Sequence, residues 1–138
     1  MYAVCRKFVR NVAYFVELKY ISMSRTLNVM DLMKKAEALS GNYENVVLAE
    51  VNDHLVRISL MTEPYFWHFH PNSDETFIGL EGTVILEFDD RSVELRPWQL
   101  FTVPKGVKHR TAPAGARSVN ITIERADMVT VRVHERPV

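Results

Sequence analysis

The chain has a single cysteine, Cys5, so no disulfide can form within it, and one thiol near the terminus fits a reducing compartment. It has no net charge. Seventeen basic residues balance seventeen acidic ones, and nothing in that balance advertises a surface for nucleic acid. No apolar run approaches the ~18–20 residues needed to cross a bilayer. There is no glycine-rich phosphate loop, no repeat at solenoid spacing and no low-complexity tract. What remains is expected to be one cytoplasmic domain, since 138 residues suffice to bury a core without disulfides.

Residues 1–22 differ in texture from the rest of the chain, being aromatic-rich and mildly basic. Glu17 and Lys19 cut the apolar patch from Val12 to Val16 too short for a signal-peptide core. Three readings stand: a poorly ordered extension, an added edge strand or helix, or a start codon placed too early, with Met23 opening the natural start. Residues 23–45 read as a helical lead-in. A helix is expected from Asn28 to Gly41, with Asn28 as N-cap, Gly41 as the left-handed C-terminal residue, and Val29, Leu32, Met33, Ala36 and Leu39 as the apolar stripe.

From Val46 the hydrophobic period changes to two. Strands are expected over residues 46–51 and 55–61, joined by a turn at Asn52-Asp53-His54, with His54 solvated. Further strands are expected around 65–70, 75–80, 83–88, 92–95, 100–103, 107–112, 118–124 and 128–133. His134 falls in a tail expected to fray. Many short strands punctuated by Gly, Pro and Asp predict an all-β antiparallel sandwich or barrel over residues 46–138.

The chemistry concentrates between Trp67 and Gly82, WHFHPNSDETFIGLEG. His68 and His70 share one face of a strand, Pro71-Asn72-Ser73-Asp74 turns the chain, and Glu75 opens the returning strand. Two imidazoles and a carboxylate converging on a point can hold a divalent metal with coordination positions left open. His109, in PKGVKH, is the fourth candidate.

These residues resemble the two motifs of the cupin superfamily: His-x-His, four residues, Glu, six residues, Gly; and then Pro-x-Gly-x-x-His. The resemblance covers roughly Val46 to Val133. It implies a double-stranded β-helix (jelly-roll) barrel with the helix packed outside, and His68, His70, Glu75 and His109 as metal ligands. It also implies pairing into a homodimer. Thr62, Trp98 and Pro113 stand where the pattern usually has Gly, Gly and Asn, which concerns turns and pocket lining rather than ligands. The chain looks like the compact cupins often described as mannose-6-phosphate-isomerase-like, a label of barrel similarity and not of sugar chemistry.

Three nitrogens and a carboxylate suit Fe(II), Mn(II), Ni(II), Zn(II) or Cu(II), and affinity alone does not choose among them. An open centre permits oxygenase chemistry or Lewis-acid work on a carbonyl or enediol. The expectation is therefore a metal-dependent enzyme acting on a small organic molecule, of oxygenase or isomerase type. The alternative is a non-catalytic module that binds a metal or metabolite. By strand parity Phe66, Phe77 and Thr111 are pocket-lining candidates, with plain core packing as the competing reading. No second carboxylate is tied to the site by spacing, and Lys105 and Arg110 flank the second motif as surface cations.

Overall fold

The computed structural model describes residues 27–133, together with the backbone of two short strands, β1 (Arg6–Val9) and β2 (Val12–Phe15). These two pair antiparallel and belong to a compact unit of their own. Apart from them, the readings placed on residues 1–22, including Cys5, lie outside the described residues, as does His134. Among the described residues no helix is long and apolar enough to cross a membrane.

The single helix among the described residues, α1, spans Leu32–Ala38 and is shorter than the periodicity suggested. Its N-cap is Asp31 rather than Asn28: the Asp31 carboxylate accepts hydrogen bonds from the Met33 and Lys34 amides at 3.0 and 3.2 Å. A carboxylate satisfies two orphan amides there and also meets the positive end of the helix dipole. Ala36 and Leu39 are buried and Leu32 packs beside them, while Val29 lies fully exposed and Met33 largely so. The stripe is thus narrower than expected. Gly41 does adopt φ +85°, two residues beyond the C-cap Leu39, in the turn into the first long strand.

The remaining strands are β3 (Tyr43–Val51), β4 (His54–Met61), β5 (His68–Phe69), β6 (Glu75–Glu81), β7 (Val84–Glu87), β8 (Ser92–Leu95), β9 (Leu100–Val103), β10 (Arg110–Pro113), β11 (Ser118–Arg125) and β12 (Val131–Arg132). Five form one sheet in the order β3-β4-β11-β6-β9, three form another as β10-β7-β8, and β12 pairs with β5. All ladders among the described residues are antiparallel, with one isolated parallel bridge between Gly79 and Pro97. The expected hairpin is present: β3 and β4 are joined by Asn52-Asp53, with Asn52 at φ 55°.

The topology and the N-terminal helix are consistent with a cupin jelly roll, but no sheet closes into a true barrel. The expected strand over 65–70 shrinks to the two residues of β5. Pro64 lacks an amide for a ladder, and residues 64–67 run irregularly. Where a closed barrel would carry a continuous ladder, only the bridge His68–His109 joins β5 to the second motif.

The five-stranded sheet is inverted in polarity relative to a simple sandwich. Along β11, Val119 and Ile121 face outward and pack with Ile58, Leu60 and Leu80 beneath Ala36 of α1 and its C-cap Leu39. The alternate residues Ser118, Asn120, Thr122 and Glu124 are also buried, on the opposite face. Between the sheets, Phe77 and Val103 pack with Val84, Leu86 and Leu95 to form the apolar core. Gly79 is required by packing, because a Cβ there would run into the carbonyl of Arg96. The interior is therefore apolar at one end and polar at the other, and the polar end holds the site.

Candidate metal centre

Each of the four motif residues is positioned by backbone bonding. His68 and His109 exchange reciprocal amide-to-carbonyl hydrogen bonds at 2.9 Å, which locks the two motifs side by side. The Gly106 amide donates to the His70 carbonyl at 2.7 Å, and the Lys105 amide to the Asp74 carboxylate at 2.8 Å. The turn before Glu75 is tied down by its side chains. Asn72 donates to the Asp127 carbonyl at 2.8 Å and accepts from the Val129 amide at 2.9 Å. Ser73 accepts from the Arg125 amide at 3.0 Å. Turn residues chosen for turn chemistry thus also fix the approach of the segment after β11.

His68, His70, Glu75 and His109 are all buried, and one ligating atom from each lies within 4.8 Å of every other. The Nδ1 atoms of His68, His70 and His109 sit 2.8, 3.0 and 2.9 Å from the carbonyl oxygens of Phe66, Val129 and Val107. A carbonyl only accepts, so each Nδ1 carries a proton and each Nε2 is left to ligate. The Nε2 atoms of His70 and His109 then lie 3.1 and 3.3 Å from the same oxygen, Glu75 Oε2. Without a proton or a cation between them these lone pairs oppose one another. The donor set therefore fits a divalent metal, of unspecified identity, which would be held by these four side chains.

Electrostatics agree. Burial pushes the Glu75 carboxyl upward, but where His109 and His70 carry a second proton, on Nε2, their hydrogen bonds and charges outweigh it and bring it to about 2, an effect in the same direction as that of a cation in their place. Burial lowers His68 to about 4, so that imidazole is neutral and ready to ligate. His70 is lowered by burial yet raised overall by Glu75, so a proton competes with a metal for the His70–Glu75 pair.

A cavity of about 310 Å³ opens onto His68, His70 and Glu75, and Tyr43, Asn45, Arg57, Tyr65 and Glu124 form its wall. Spacing gave no hint of Glu124. It is buried, lies opposite Glu75 in the β11–β6 register, and forms an ion pair with Arg57, Nε to Oε1 at 2.7 Å, although the N–H is not aligned as a hydrogen bond. Arg57 Nη1 donates to Asn45 at 3.0 Å. The alternation along residues 118–124 was the available signal, since every second residue is polar in a strand flanked by other strands.

Of the expected lining residues, Phe77 and Thr111 border a smaller inner pocket continuous with the same ligands, together with Asn120 and Thr122. Phe66 lines neither: its ring stacks on Tyr65 at 4.1 Å and lies beneath Arg132, while Tyr65 faces the cavity. Strand parity does not reach Phe66 because residues 64–67 are not a regular strand. Lys105 lines neither pocket, Arg110 pairs with Glu87 beside the Trp67 ring, and His54, the first residue of β4, pairs with Asp53 of the hairpin turn.

The model of the Cupin domain family matches residues 61–123. The uncharacterized protein YdbB of Bacillus subtilis (strain 168) is 37% identical over 110 residues, covering 79% of this chain and 96% of that protein. Among solved structures, a cupin-2 domain containing protein from Shewanella frigidimarina superposes with a TM-score of 0.67 at 28% identity, covering 70% of this chain and 94% of its own. A protein with a double-stranded β-helix domain from Klebsiella pneumoniae does so with a TM-score of 0.65 at 13% identity, covering 78% and 97%. The second likeness bears on fold alone.

Proposed function

This chain belongs to the cupin superfamily, and from that premise we propose that it is a metal-dependent enzyme acting on a small organic molecule through an open His68-His70-Glu75-His109 centre. The convergence of two Nε2 lone pairs on one Glu75 oxygen, with the His68 imidazole beside them, supports this reading, because a divalent cation relieves all of these contacts at once where a single proton relieves one. The metal would supply Lewis acidity, or a site for O₂, at the positions facing the cavity. The protein's own contributions are a wall of Tyr43 and Tyr65, stacked at 5.0 Å, and a second carboxylate, Glu124, oriented by Arg57. Glu124 favours an enzyme over a passive binding module, since it offers a group to hold or move a proton beside the centre.

Oxygenase and isomerase readings are separated by one experiment. Protein reconstituted with Fe(II), Mn(II), Ni(II) or Zn(II) is screened against small hydroxy acids, diols and sugars for O₂ uptake and for isomer formation. Fe(II)-dependent O₂ uptake that His70→Ala abolishes supports the oxygenase. Turnover with several divalent metals and without O₂ supports the isomerase. Tight metal binding with no turnover of any substrate would favour the non-catalytic module. Pairing into a homodimer accords with the exposed Val46 and Val51 on edge strand β3, and light scattering on the purified chain reads it directly. A cytoplasmic location accords with the lone cysteine.

A further inference from the structure

The inner pocket contains polar atoms that the metal reading does not use. Asn120 is fully buried on β11, and neither its amide nitrogen nor its amide oxygen has a hydrogen-bond partner among the described residues. Thr122, two residues on and on the same face, is buried with its hydroxyl likewise unpartnered. Both border a space of about 30 Å³ that also touches His68 and Glu75. A buried side-chain amide left unbonded on both ends costs on the order of 1–3 kcal/mol per group. Two such residues facing one small space next to a metal centre form a built site rather than scattered defects.

Their chemistry selects an occupant. Asn120 offers a donor and an acceptor, and Thr122 offers either, so the matching group both donates and accepts. The volume admits a group the size of water. A carboxylate fits poorly, because it only accepts and would approach Glu75 and the nearby Glu124. An ammonium only donates and would leave the amide nitrogen unbonded. A methyl group would leave every one of these atoms unsatisfied.

We infer that Asn120 and Thr122 form a hydroxyl-binding subsite beside the metal centre, so that the ligand is a hydroxylated small molecule holding one oxygen at the metal and a neutral hydroxyl against these two residues. The inference rests on the metal-centre reading and narrows it to a substrate class. In the absence of ligand a water would fill the same position, and binding exchanges that water for a hydroxyl with its hydrogen bonds reproduced.

The test uses Co(II)-loaded full-length protein and follows the visible absorption of the metal while lactate, or propionate as its deoxy counterpart, is added. The wild type is expected to bind lactate about tenfold more tightly than propionate, the net worth of roughly one hydrogen bond gained at the hydroxyl. Thr122→Val, nearly isosteric and suited to a strand, and Asn120→Ala should each bring that ratio close to one, with propionate affinity and Co(II) stoichiometry unchanged. Equal binding of the two acids by the wild type would overturn the inference. A preference that survives in both variants would overturn it as well, leaving Asn120 and Thr122 as hosts for a structural water only. Failure to take up Co(II) would instead remove the metal reading itself, and the inference would fall with it.

Discussion

Replacing Arg57 by Met isolates the interaction that holds Glu124 against the cavity. Arg57 Nε lies 2.7 Å from Glu124 Oε1, and Glu124 is almost wholly buried. Removing the guanidinium strands a carboxylate that already faces the ionised Glu75, and also deletes the bond to Asn45 at 3.0 Å. Breaking a buried pair from one side costs ~3–5 kcal/mol. The Arg57 side chain is 27% exposed, so water partly screens the pair and the lower end applies: about 3 kcal/mol. For a domain of this size that is a fall in Tm of roughly 10–15 °C.

The pH dependence gives this prediction its sign. Burial, then the charge of Glu75, holds the Glu124 carboxyl above its ordinary value, with Arg57 pulling it back down. A carboxyl raised in the folded state favours folding below its unfolded pKa, and that contribution is lost as pH rises through the folded pKa. Without Arg57 the rise is larger. The Arg57→Met penalty should therefore be greatest at neutral pH and shrink as the pH falls, because Glu124 takes up its proton above the ordinary carboxyl value of 4.5. Urea denaturation of chelator-treated protein at several pH values measures it. The double variant Arg57→Met/Glu124→Leu should recover most of the lost stability at neutral pH. A penalty independent of pH, or no recovery in the double variant, would refute the reasoning.

Other positions give equally specific outcomes. Gly79→Ala should cost about 2–3 kcal/mol in urea denaturation, because its Cβ would meet the Arg96 and Pro97 backbone and not a movable side chain; a loss under half a kcal/mol would show that the β6 contact with Pro97 yields easily. Trp98 is mostly exposed at φ 67°, a conformation that suits glycine, so Trp98→Gly should be at least as stable as wild type, whereas Trp98→Val should lose about 1 kcal/mol. Chelator-treated wild type should lose stability as the pH drops from 6.5 toward 4, since burial lowers His68 to about 4 and the unfolded chain binds that proton first. The raised His70 acts oppositely as the pH rises above 6.5, and the loss of Glu75 ionisation adds to the decline below 4.5. Thermal unfolding between pH 4 and 8 reads the whole curve.

The metal cluster was legible in the sequence because three of its members lie within eight residues and the fourth comes after a turn with its own signature. The strand spacing was legible too, since Pro, Gly and Asp mark most of the turns. The helix start was not: Asn28 and Asp31 are both good caps, and only packing, which buries Ala36 and Leu39 and leaves Val29 in water, chooses Asp31. Phe66 was assigned by a strand period that Pro64 interrupts. Asn120, Thr122 and Glu124 escaped because the usual reading sends the polar face of an alternating strand outward, and here α1 covers the apolar face instead. Trp98 shows the reverse case, where a departure from the family pattern leaves the glycine-like backbone in place.

The most direct test of the account is metal stoichiometry. Untagged protein is stripped with chelator, reconstituted with Fe(II), Mn(II), Ni(II) or Zn(II), desalted and subjected to elemental analysis, beside His70→Ala and Glu75→Gln. The convergence of three imidazoles on Glu75 predicts about one equivalent per chain in the wild type and a large loss in both variants. A wild type that retains none of the four metals, while folded by circular dichroism, would contradict it.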